Sequence, residues 1–82
     1  MDENKPDVIL DVKGLSCPMP VLRTKKAIDA MSSGQTLRII ATDPAAKSDI
    51  PALLNRLGHE IMSTGESDGT VSFLIRKNDR GQ

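Results

Sequence analysis

The chain has 82 residues, 38% of them hydrophobic and 27% charged, with eleven Lys/Arg balanced by eleven Asp/Glu. That is the composition of one small globular domain, residues 1–82, burying only about 60–65% of its unfolded surface; no apolar run nears the ~20 residues of a membrane helix. Without a basic excess, and with Phe73 as the only aromatic, direct nucleic-acid binding is not expected, and the polar start from Met1 to Asp7 is unlike a secretory signal, so the expected location is cytoplasmic.

In chain order, the polar ends, roughly 1–6 and 78–82, are expected to fray around an ordered core of about 8–77. Val8–Val12 reads as a strand with Val8, Leu10 and Val12 on one face. Gly14 ends it. From about Pro18 to Met31 the period becomes helical, with Val21, Thr24, Ala27, Ile28 and Met31 inward. The segment Ser32-Ser33-Gly34 terminates this helix, Gly34 supplying a left-handed residue. Thr36–Ala41 is the next strand. Asp43 caps a short turn begun by Pro44, and Pro51, which fits only a first helical turn, restarts the second helix near Ser48 or Asp49 and carries it to Leu57. Glu60–Glu66 and Thr70–Lys77 form a hairpin through Asp68-Gly69, a dipeptide that favours tight primed turns. The predicted architecture is an α/β two-layer sandwich, β-α-β-α-β-β, with a mixed four-stranded sheet and both helices on one face. Strand parity leaves Ile9, Asp11, Arg38, Ile40, Met62, Thr64, Ser72, Leu74 and Arg76 on the open face, where four apolar residues make a small candidate docking patch.

Cys17 is the only cysteine, so it can neither close a disulfide within the chain nor build a cysteine-rich zinc site; no metal or cofactor is expected. It stands in Gly14-Leu15-Ser16-Cys17-Pro18-Met19-Pro20 at the entry of the first helix. Pro18 at the first helical position and Pro20 in the same turn lose N–H groups that have no partner inside the helix. They stiffen the loop and fix where the thiol points. A helix N-terminus favours thiolate, and Lys13, Arg23, Lys25 and Lys26 are the only charges between Val12 and Ile28, so the thiol pKa is expected to fall moderately. The alternative, a cysteine that is merely a small buried hydrophobe, fits the proline frame and basic flank less well. Asp43 and Asp49 read as helix caps and His59 as an exposed structural residue. No phosphate loop or paired-carboxylate arrangement occurs.

Leu10-Asp11, Gly14-Leu15, Cys17-Pro18-Met19-Pro20, Thr42-Asp43-Pro44-Ala45 and Asp49-Ile50-Pro51 together resemble the small sulfur carriers of the TusA/SirA family, which share a Cys-Pro-any-Pro motif at the start of the first helix. The resemblance runs from about Val8 to Lys77. It implies that Cys17 accepts sulfane sulfur as a persulfide and relays it to another protein, with Gly14, Pro18 and Pro20 supporting the motif. The implied partners are a cysteine desulfurase or rhodanese-like donor and an acceptor sulfur-relay protein. The implied routes are tRNA thiolation, sulfur oxidation or cofactor biosynthesis. Lys25 matches a basic position that family members use at the partner surface, and Arg23 and Lys26 lie close enough to join it. Met19 departs from the acidic residue common in the tRNA-thiolating members; it either alters the surface that partners read or packs against the body of the domain. A carrier presenting one thiol is expected to act as a monomer, as a persulfide relay rather than a stand-alone enzyme.

Other function classes remain at this point. A regulatory module would dock through the open sheet face and tolerate loss of Cys17. A redox enzyme would need a second thiol from a partner. A selenium-handling carrier would use the same exchange chemistry.

Overall fold

Alternation of apolar and polar residues generates four strands, and two amphipathic segments between them generate the helices. The computed structural model describes residues 6–78. In order these are β1 (Val8–Val12), α1 (Met19–Asp29), β2 (Thr36–Ala41), α2 (Ala46–Leu57), β3 (Glu60–Ser67) and β4 (Thr70–Arg76). The strand order is β1-β2-β4-β3, with β1 parallel to β2 and the other neighbours antiparallel. This is the expected mixed sheet. No helix among the described residues is long and apolar enough to cross a membrane.

One parity of each central strand builds the core. Leu37, Ile39 and Ala41 of β2 lie beside Ile75, Phe73 and Val71 of β4, and all six are buried. Ile28 of α1 and Ile50 and Leu54 of α2 pack on this same face, closing the two-layer sandwich. Each such fully buried aliphatic side chain contributes about 1.5–3 kcal/mol relative to its exposed state.

The hairpin turns as expected: Asp68 and Gly69 both take positive φ, 52° and 80°. The ends expected to fray lie outside the described residues except for Pro6 and Asn78. Asn78 is held, its Nδ2 donating to the Gly58 carbonyl at 2.6 Å.

Four local expectations are corrected. Pro18 sits at the N-cap of α1, not its first helical position, which is Met19; Pro20 follows inside the first turn. At the other end α1 stops at Asp29, and Ala30 and Met31 bond to Ala27 and Ile28 in a tightened turn, while Gly34 serves the turn into β2 by donating to the Lys77 carbonyl. The turn at Pro44 runs straight into α2, which starts at Ala46 and contains Pro51. Its first turn is tightened: Ala46, Lys47 and Ser48 donate to carbonyls three residues back. Pro51 can donate nothing to the Lys47 carbonyl, but Lys47 is exposed and water can serve it.

The fourth correction concerns β3. The register slips between Ile61 and Ser63, so Met62 forms a bulge. A bulge inverts parity beyond it. Thr64 therefore pairs with Phe73 on the helix-facing side, and Ser63 joins Leu74 on the open face. Glu66 follows Thr64 inward and pairs with Lys47 of α2 at 2.8 Å. On the open face Ile9 is 63% exposed, but it lies opposite Arg38, and Ile40 lies between Asp11 and Ser72, so the apolar residues alternate with polar ones.

Candidate functional site

Parallel pairing of β1 with β2 puts the carboxyl ends of both strands at one edge of the sheet, Val12 beside Ala41. The loops that leave these ends meet, as in other α/β sheets where sites form at strand carboxyl ends. Gly14 takes φ 82°, which a side chain rarely adopts, and donates its N–H to Thr42 Oγ1 at 2.9 Å. Cys17 N–H donates to Asp43 Oδ2 at 2.7 Å, while Asp43 Oδ1 accepts from Ala45 N–H at 3.2 Å. Asp43 thus ties the loop before α1 to the turn before α2. It is both a turn cap and a clamp on the motif.

Pro18, after a cis peptide from Cys17, and Pro20, which is buried, anchor the turn from which the thiol projects. Cys17 is exposed. Its sulfur opens onto a cleft of about 280 Å³ between α1 and α2, lined by Pro18, Val21, Asp49, Ala52, Leu53 and Arg56. Asp49, Ala52 or Leu53, and Arg56 recur at helical spacing, so one face of α2 supplies that wall. The thiol donates to Asp49 Oδ2 at 3.7 Å. Asp49 lies within α2 and makes no capping bond among the described residues; its side chain meets the sulfur instead.

This overturns the expected thiol acidity. Partial desolvation in the cleft pushes the Cys17 thiol up, and the charge of Asp49, its hydrogen bond to the sulfur and the charge of Asp43 push the same way. Local sequence promised cations. The tertiary structure delivers two carboxylates.

The basic residues divide. Lys25 is exposed and pairs with Asp29 at 2.9 Å, one turn along α1. Arg23 and Lys26 are exposed, with no ion pair among the described residues. Met19 is 36% exposed and Leu22, one turn on, 55%, so two apolar side chains are exposed at the start of α1. Sequence reasoning missed Leu22, Asp49 and Arg56. Leu22 carried a signal, an apolar residue off the buried stripe; Arg56 carried none.

His59 is buried rather than exposed, because its Nδ1 accepts the Asn78 N–H at 3.1 Å. Burial pushes its pKa down, the nearby Lys77 adds to this, and Asp29 opposes it. It is remote from Cys17 in role, closing the far end of the domain. No cluster of metal-ligating side chains occurs among the described residues.

Residues 8–77 match the family model described as Sulfurtransferase TusA. The chain is similar to a sulfur carrier protein TusA of Allochromatium vinosum, 49% identical over 72 residues, which are 88% of this chain and 95% of that protein. It is 44% identical over 73 residues to a putative sulfur carrier protein, YrkI, of Bacillus subtilis, covering 89% and 97% of the two. A SirA-like protein from Desulfitobacterium hafniense of known crystal structure shares the fold, with a TM-score of 0.75 at 22% identity over 88% of this chain and 99% of that one.

Proposed function

The chain belongs to the TusA family, and on that premise we propose that it is a sulfur carrier in which Cys17 accepts sulfane sulfur as a persulfide and relays it to an acceptor protein. The observation that carries this reading is the placement of the only cysteine: exposed, on a proline-framed turn, at the carboxyl edge of two parallel strands. The curated relatives named as sulfur carriers span nearly the whole chain and supply the chemistry to be carried.

The transfer needs no redox partner. Cys17 thiolate attacks the outer sulfur of a donor's persulfide, a new S–S bond forms, the donor's S–S bond breaks, and the donor leaves as thiolate. In the second step an acceptor thiolate attacks the outer sulfur now on Cys17, and Cys17 leaves as thiolate. Both steps require an open line of approach to the sulfur, which its exposure provides. A second cysteine within reach would expel the sulfur by closing a disulfide; this chain has none. Donors of the cysteine desulfurase or rhodanese-like class fit the first step. Met19, Leu22, Arg23 and Lys26 form the surface beside Cys17 that such partners would meet, with Lys25 at its edge. The carrier works as a monomer in the cytoplasm, where thiols stay reduced.

The test is intact-mass spectrometry without reductant after incubation with a cysteine desulfurase and cysteine. The expected result is a gain of one sulfur atom, reversed by dithiothreitol and absent in Cys17→Ala. No gain with the desulfurase, nor with a thiosulfate-fed rhodanese, would overturn the reading.

A further inference from the structure

The acid in the cleft is an odd neighbour for a sulfur that must ionise. Asp49 shares the α2 wall with Arg56, yet no ion pair joins them among the described residues, and the thiol of Cys17 is the only side-chain partner found there for its carboxylate. Asp43 differs, since it already accepts two backbone N–H groups. The charged groups around Cys17 are Asp49 and Arg56 from α2 and Asp43 from the loop before it; Lys13, in the loop on its own side, is paired with Asp11 at 3.7 Å.

Resting on the carrier reading above, we propose that Asp49 is a positioning residue that gates Cys17, its carboxylate holding the resting sulfur protonated across the α1–α2 cleft and slowing its departure as a leaving group once it is loaded. At rest the S–H bond points to Asp49 Oδ2. After loading, the sulfur bonded to Cβ has no proton, and the same carboxylate faces the atom on which negative charge develops as the S–S bond breaks. A small thiol such as glutathione must then displace Cys17 against that charge: its thiolate bonds to the outer sulfur, Cys17 leaves as thiolate and takes a proton from water. A partner that brings a cation into the cleft neutralises Asp49 and releases both steps. The device makes sulfur hand-off depend on docking rather than on chance encounter with small thiols. The raised pKa of the thiol in this setting agrees with the geometry.

Two measurements separate this from the carrier reading. The first is the pH dependence of iodoacetamide alkylation of Cys17, which needs no loading. Asp49→Asn moves the midpoint to lower pH, and Asp49→Glu stays nearer the original. Should Asp49→Asn fail to fold, Asp49→Ser, which also removes the charge, answers in its place. The second is sulfur transfer from the persulfidated protein to glutathione. Cys17 is the leaving group in that step, and a leaving thiol of lower pKa departs faster, so transfer to glutathione is faster in Asp49→Asn than in the original protein. Identical alkylation profiles for the uncharged variant and the original overturn the gate whether or not sulfur is carried. A protein that alkylates as expected but never loads overturns the carrier reading instead.

Discussion

At the C-terminal end of α1, Lys77 reaches in from the end of β4 and donates to the carbonyls of Ile28 and Met31, both at 2.7 Å. At the N-terminal end, Asp43 and Asp49 reach in from the β2–α2 region and take the N–H and S–H of Cys17. Both arrangements follow the helix dipole, a cation on the last carbonyls and anions near the first N–H groups. At the far end the electrostatics serve only stability. At the near end the same kind of stabilisation sits beside a thiol and opposes its ionisation. A charge that fixes a loop also tunes the acidity of the group the loop carries.

The comparison breaks most completely at Cys17. Cys17→Ala abolishes sulfur loading in the mass assay, while its stability in urea unfolding stays within about 0.5 kcal/mol of the original, as for other exposed sites. At the opposite end, Lys77→Met keeps the aliphatic stem and removes the donor to both carbonyls. It is expected to cost about 1–3 kcal/mol in urea unfolding and to leave the alkylation profile of Cys17 unchanged. A smaller change at the near end sharpens the contrast. Asp43→Ala costs about 1–2 kcal/mol through its two lost N–H acceptors and also lowers the pH midpoint of alkylation, so here stability and reactivity move together. Asp43→Asn, which keeps an acceptor oxygen but no charge, shifts the midpoint with less loss of stability.

The smallest effect belongs to His59. Its folded pKa lies below the unfolded value, so between the two the unfolded chain binds more protons and stability rises with pH. Its contribution is complete above about pH 6.5 and declines as the pH falls from there toward the lowered folded value. Urea unfolding on either side of that window shows a slope in the original protein that is reduced in His59→Gln.

Much of this was legible in the sequence. The bounds of β1 and β2 agree with the alternation of Val8, Leu10, Val12 and of Leu37, Ile39, Ala41. The Asp68-Gly69 turn agrees with dipeptide chemistry. These depend on neighbours a few residues apart. The misreadings have other causes. Pro51 lies inside α2 because a tightened first turn and an exposed Lys47 carbonyl tolerate it. Thr64 changed faces because of a bulge at Met62, for which the mostly polar sequence of β3 gave no sign. His59 is buried because Asn78, in a tail expected to fray, closes over it.

The sequence by itself determined the order of elements, the mixed sheet and the single thiol at a proline-stiffened helix entry. Periodicity, proline and glycine act through the adjacent backbone, so their signal is local. Only the tertiary structure decided the electrostatics of that thiol. Asp43 and Asp49 stand 26 and 32 residues from Cys17 in the chain, and the local patterns around them mark helix caps, not neighbours of a thiol. Parallel pairing of β1 with β2 brings their following loops together at one edge, and Coulomb interactions fall with distance in space, not along the chain.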